Sequence, residues 1–289
     1  MKKFVFLVLM VVLVLIMTSC DNNKTFKPEI ITEDNVEYLY IGSLPNSLVE
    51  NTNLISKLEE INEENELGYI EYNKEQYKKL VIETRENVEI DFYTTLYVGE
   101  TYYFKVEPIK WKVISKTDDS YLVLSDGLIG YGWYYDHVWE NQFNMHYREI
   151  EGKRIAPNNY EYSTVRAWLN SYDGTSYEVE NYTNKGFYSF AFTEEERKYI
   201  CLSKFDNLED YLYLLSKEEV LNIGLDSLHD DLKASDYFLA LGAADDKFFL
   251  RTATHEGNYC DTVYWHASYV DSKNIAYCEY KAVMKIKLN

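Results

Sequence analysis

Cysteine, basic residues and long apolar runs are all in short supply in this chain, and each shortage excludes a class of protein. Only four cysteines, Cys20, Cys201, Cys260 and Cys278, stand among 289 residues. A disulfide-stapled miniature scaffold is therefore excluded. Lysine and arginine number 29 against 48 aspartates and glutamates, for a formal net charge of −19. Nucleic acid is a poor partner for such a chain, because phosphate binding draws on clusters of Lys and Arg. Anionic headgroups and anionic wall polymers are repelled as well, unless divalent cations bridge them. With 4 prolines and 12 glycines there is no Pro-, Gly- or Ser-rich linker, and a single domain is expected over residues 36–289. The five histidines, His137, His146, His229, His255 and His266, show no H-E-x-x-H or i,i+4 pairing. G-x-S-x-G elbows and phosphate-cradling glycine loops are missing too.

The one long apolar run lies at the start, from Phe4 to Met17 behind Lys2 and Lys3. Its 14 residues fall short of the roughly 20 a spanning helix needs and suit a signal peptide, residues 1–19. Thr18 and Ser19 before Cys20 resemble the lipobox of bacterial lipoproteins, with Met17 in place of the usual leucine. That resemblance implies cleavage before Cys20 and acylation of its thiol, which fixes the protein to the outer face of the cytoplasmic membrane. Residues 21–35 are polar and aperiodic and read as a tether.

Strand signals dominate the rest. Val36 to Ile41, Tyr69 to Tyr72, Thr101 to Val106, Ile109 to Ser115 and Tyr121 to Leu124 are rich in Val, Ile, Tyr or Phe and bounded by turn formers. Alternation returns at Val263 to Trp265 and Ala282 to Leu288. Leu54 to Ile61 has a helical apolar face, and a helix is expected over Ser163 to Asn170 with Val165, Trp168 and Leu169 inward. Thr193-x-x-Glu196 and Ser216-x-x-Glu219 are capping boxes. The expected class is α+β, a mainly antiparallel sheet with a few flanking helices. At most one disulfide can form beyond Cys20; Cys260 with Cys278 is the expected pair, leaving Cys201 as a buried thiol.

Several segments in order resemble a bacterial extracytoplasmic domain of unknown function carried by secreted proteins and lipoproteins of Gram-positive bacteria. They include Tyr40-Ile41-Gly42-Ser43-Leu44-Pro45-Asn46-Ser47 and Tyr103 to Val113. Ser163-Thr164-Val165-Arg166-Ala167-Trp168-Leu169-Asn170 is similar to the family's Ser-x-x-Arg-x-Trp-Leu-Asn. Phe248-Phe249-Leu250-Arg251-Thr252 stands where the family shows Trp-Trp-Leu-Arg-Ser. The resemblance spans nearly the whole mature chain, departs at Lys281 to Lys285, and leaves an apparent insertion between Gly130 and Tyr160. It implies a C-type-lectin-like fold of the formylglycine-generating-enzyme variety, with first and last strands side by side and the Trp/Arg segments in the core. The cysteine pair of those enzymes is not matched, so oxidase activity is not carried over.

Candidate site chemistry follows from the aromatic residues. Tyr131, Trp133, Tyr134, Tyr135 and Trp139 cluster in the apparent insertion and form the candidate ligand-binding set. Such rings suit a sugar or a peptide; equally, Trp133 and Tyr135 can fold inward and cap the core. Trp265 and His266 form a second, weaker cluster. Trp111, Trp168 and Phe249 read as core, and Arg166 and Arg251 as structural cations needing acidic or carbonyl partners. Calcium is the cofactor that a lectin-like fold suggests, and the acidic stretches Asp206 to Asp210 and Asp226 to Asp231 are its candidate ligands. Without a D-x-D-x-D-G loop they read first as solvated surface. The expected function is a membrane-anchored, non-catalytic module for a saccharide, a peptide or an envelope protein. A structural subunit of an envelope complex is the alternative, and a hydrolytic or oxidative enzyme the third reading.

Overall fold

The computed structural model describes residues 26–135, 147–224, 228, 233–243, 247–254, 259–264, 269–274 and 277–287. It is α+β and mostly antiparallel. Ile30–Glu33 (β1) and Val36–Leu48 (β2) form a hairpin; Thr52–Glu59 (α1) follows, and Tyr69–Tyr72 (β3) and Glu75–Val81 (β4) form a second hairpin. Both turn on two residues with positive φ, Asp34-Asn35 and Asn73-Lys74. The short polar side chains of Asp34, Asn35 and Asn73 tolerate that left-handed conformation, which matches the twist of the flanking strands. Val88–Glu89 (β5) and Thr95–Leu96 (β6) make a small ladder ahead of Thr101–Lys116 (β7) and Ser120–Ser125 (β8).

Strand β7 is the spine. One edge pairs with β2 throughout, from Tyr38 opposite Lys112 to Leu48 opposite Phe104. The other edge is shared, with β4 on residues 101–105 and β8 on residues 111–116. Pro108 cannot donate to a ladder, and it lies opposite Ser43 just after a register shift in β2 at Gly42, a place where proline costs little. Gly42 has φ +74°, and a Cβ there would lie 2.7 Å from the Phe192 ring.

Beyond β8 come Gly130–Trp133 (β9), the hairpin Arg148–Ile150 (β10) and Lys153–Ile155 (β11), and the helix Thr164–Asn170 (α2). Phe187–Ala191 (α3) and Glu194–Arg197 (α4) lead to Ile200–Cys201 (β12), the hairpin Ser203–Phe205 (β13) and Leu208–Asp210 (β14), and Leu212–Tyr213 (β15). Lys217–Ile223 (α5) and Asp236–Ala240 (α6) precede the strands Lys247–Ala253 (β16), Tyr259–Tyr264 (β17), Tyr269–Asn274 (β18), Tyr277–Tyr280 (β19) and Val283–Lys287 (β20). The principal sheet runs β1-β2-β7-β8-β20-β12, with β15 also on β20 and the β3–β4 hairpin also on β7. Separately, β16-β17-β18 form a three-stranded sheet and β9 pairs with β19.

Three readings of the sequence change here. Residues 30–33 of the expected tether are the edge strand β1, and ahead of it Pro28 is buried and the Phe26 carbonyl accepts a 2.9 Å hydrogen bond from the Tyr199 hydroxyl. The folded part thus begins by Phe26. The first and last strands are not neighbours, since β7 and β8 separate β2 from β20. The start of the apparent insertion is an integral strand, β9, paired with β19 from Gly130 opposite Tyr280 to Trp133 opposite Tyr277.

The buried apolar residues fall into one large cluster and two small ones. The large cluster joins β2, β7, α2, β16 and β20 through Leu39, Trp111, Val165, Phe249 and Val283. One small cluster sets Leu58 of α1 against Ile70, Tyr77 and Tyr103; the other sets Phe104 against Ile82, Leu96 and Ala240. Helix α6 ties these to the sheet, where Asp236 accepts the Leu48 N–H at 2.7 Å. No helix among the described residues is long and apolar enough to cross a membrane.

Candidate ligand groove

A cavity of about 530 Å³ opens where β9, α2, α6 and the β3–β4 hairpin meet, within the range of small-molecule sites. Its lining is aromatic because of how β9 is built. Gly130 and Gly132 alternate with Tyr131 and Trp133, so successive positions point to opposite faces. A Cβ on Gly130 would fall 2.7 Å from the Trp168 ring and 2.8 Å from Tyr280, and one on Gly132 would fall 2.8 Å from the Tyr280 hydroxyl. Only glycine lets these rings lie against the strand. Tyr280 donates to the Trp133 carbonyl at 2.8 Å and packs against Trp168 at 5.5 Å between centroids. Trp168 in turn contacts Phe187 and Phe190.

The far side of the cavity comes from another part of the chain. Tyr69 and Lys78 of the β3–β4 hairpin and Tyr237 of α6 line it. Burial, and then the charge that Tyr237 would carry, push the Tyr69 hydroxyl up to about 12; burial also raises Tyr237. Both phenols therefore stay protonated and able to donate at neutral pH.

The Ser163 to Asn170 motif positions Trp168, and Ser163, Arg166 and Asn170 each have a structural task. Ser163 caps α2 by accepting the Arg166 N–H at 3.1 Å, filling one of the helix's unpaired donors. Arg166 makes two 2.8 Å bonds to Asp210, a residue with no exposure, and donates to the Glu161 carbonyl. Asn170 accepts from the Tyr211 and Leu212 N–H groups and donates to the Leu212 carbonyl, clamping β15 to the helix. Val165 and Leu169 are fully buried; Trp168 is half-buried, packs against the core and also lines the cavity. Arg251 follows the same logic on β16, bonding Asp206, Glu219 and the Leu214 carbonyl.

The acidic stretch considered for calcium is thereby accounted for at both ends. Asp206 and Asp210 are held by Arg251 and Arg166. Asp226 to Asp231, apart from Leu228, lie outside the described residues. Among the described residues no group of three or more His, Cys, Asp or Glu converges as metal ligands do.

The aromatic set expected from sequence is divided by the fold. Tyr131 and Trp133 are half-buried and line the cavity. Tyr134 and Tyr135 have no exposure, which corrects their place in the binding set. Tyr134 packs edge-on to Phe249 at 5.3 Å, and Tyr135 lies under the Arg148 guanidinium at 3.9 Å. Trp139, Trp265, Cys20 and all five histidines lie outside the described residues. Cys278 is buried on β19, the Cys260 side chain is outside the described set, and Cys201 is half-buried rather than buried. Tyr69, Lys78, Trp168, Tyr237 and Tyr280 were not foreseen. They come from separated segments, and nothing local in the sequence brings them together. No protein-family model, curated protein or solved structure matches the chain.

Proposed function

We propose that this chain is an extracytoplasmic lipoprotein, anchored through Cys20, that captures a small ligand in the aromatic groove without transforming it. The observation carrying the reading is the concave lining by Tyr131, Trp133, Trp168, Tyr237 and Tyr280. Flat rigid rings with a polar edge suit the stacked faces of a saccharide, and a concave outline favours a small ligand over a protein surface. The likeness to the extracytoplasmic domain family, with its lectin-like fold, agrees with such a role and is proposed on the motifs quoted above.

The test is a thermal-shift series on the full-length protein with neutral and charged oligosaccharides, short peptides and calcium, since a species that binds only the native state raises its apparent stability. A saccharide-induced shift lost in Trp133→Ala is expected. A shift undiminished in both Trp133→Ala and Tyr131→Ala would move the site elsewhere. Fatty-acid labelling that persisted in Cys20→Ala would remove the anchor. A subunit role in an envelope assembly is favoured by one feature, the tip between β5 and β6. There Phe92 and Tyr93 are 98% and 95% exposed on a turn held by two bonds to the Asp91 carboxylate. A pull-down partner lost in a Phe92→Ser, Tyr93→Ser double variant would support that role.

A further inference from the structure

The chain carries 48 acids against 29 bases, yet the described residues lining the groove include no carboxylate and one charged side chain, Lys78. Lys78 Nζ donates to the Gly68 carbonyl at 3.0 Å, and a protonated amine has two further donors. Two lysines of β7 are placed differently. Lys105 on β7 pairs with Glu75 at 2.6 Å, and Lys110 is bound by Glu33 at 2.7 Å. Lys78 has no ion-pair partner among the described residues, although the Glu64 carboxylate also flanks Gly68. A half-buried ammonium with donors unused by the described residues, on a wall without a lining carboxylate, is able to bond an anion supplied from outside.

The hydroxyls beside it fit the same ligand. Tyr69 and Tyr237 line the groove on Lys78's side, and neither hydroxyl makes a hydrogen bond to the described residues. The Tyr69 ring lies 5.9 Å below the Lys78 ammonium. The lining also includes Trp168 and Trp133, which are aromatic and uncharged.

We propose that the groove takes an acidic saccharide, its carboxylate bonded by Lys78 Nζ and its sugar ring held among the aromatic residues of the lining. This rests on the saccharide reading above and adds a selectivity to it. No covalent step is involved.

Calorimetry of the full-length protein against matched pairs of oligosaccharides tests it. The pairs are gluco-, galacto- and manno-tetrasaccharides with their C6-carboxylate forms, and an N-acetylglucosamine tetramer with its counterpart bearing N-acetylmuramic acid. In at least one pair the acidic member should bind about ten-fold more tightly, the scale of one charge-assisted hydrogen bond. Lys78→Met should bring that ratio to about one, and Lys78→Arg should keep most of it. Salt should weaken the acidic member alone. Neutral and acidic members binding alike, or a ratio that survives Lys78→Met, would overturn the acidic selectivity and leave the saccharide groove standing. No binding by any of the eight probes would overturn both.

Discussion

The large core and the annex formed by α1, β3, β4 and the start of β7 are stabilised by different means. Every buried polar or charged residue among those described, from Ser120 through Arg148, Asn170, Asp210 and Arg251 to Lys281, lies at or beyond position 120. The annex buries Leu58, Ile70, Tyr77, Ile82 and Phe104, with no charge fully enclosed. A buried, fully bonded polar network tolerates few alternative packings, and removing one partner is expensive. Small apolar clusters open at lower cost. The groove draws Trp133 and Trp168 from the first region and Tyr69 and Lys78 from the second. Its polar side therefore stands on the more easily loosened half.

Alkaline pH should have the largest effect and act on both regions together. Burial raises Tyr69, Tyr40 and Tyr188 to about 12 from an ordinary value near 10. A folded value above the unfolded one leaves stability intact below pH 10 and removes it as the pH climbs toward 12, because only the unfolded chain gives up its protons. Urea midpoints falling over that window, in step with phenolate absorbance, are expected. Loss of annex amide protection well below that window would separate the two regions.

Arg166→Met comes next. It leaves the Asp210 carboxylate buried with only the Tyr172 hydroxyl of its side-chain partners, at 3.1 Å, and should cost about 3–5 kcal/mol in urea unfolding. Leu58→Ala should cost about 2–5 kcal/mol, with hydrogen exchange rising in β3 and β4 and not in β20. Equal acceleration in β20 would mean that the annex and core open as one unit. Ser216→Ala removes the acceptor for the Glu219 N–H in its capping box and should cost about 1 kcal/mol. The smallest effect belongs to Phe92→Ser with Tyr93→Ser, within about 0.5 kcal/mol of wild type, since those side chains are almost wholly exposed.

What could be read from sequence follows the range of the forces involved. Strand β3 and both capping boxes were legible because their signals lie within four residues. Arg166 and Arg251 announced a need for partners, though not that Asp210 and Asp206 would meet it. Strand β4, E-Q-Y-K-K-L-V, buries only Tyr77 fully and owes its place to β3 and β7 rather than to any apolar alternation. Strand β1 was hidden for a similar reason, as an edge strand with no fully buried residue. The aromatic cluster was half legible. Composition marked Tyr131 to Tyr135, but whether a ring faces a cavity or the core is fixed by the pairing of β9 with β19, about 150 residues away along the chain.

The capture of residues 26–33 by the fold has a consequence for binding. Between Cys20 and Phe26 lie five residues, which reach at most about 20 Å when fully extended. Under the proposed anchoring of Cys20 in the bilayer, the domain would be confined to a thin layer, and any partner fixed in the same layer would meet it at an effective concentration on the millimolar scale. An affinity that looks negligible for the free domain in a tube would then suffice at the membrane.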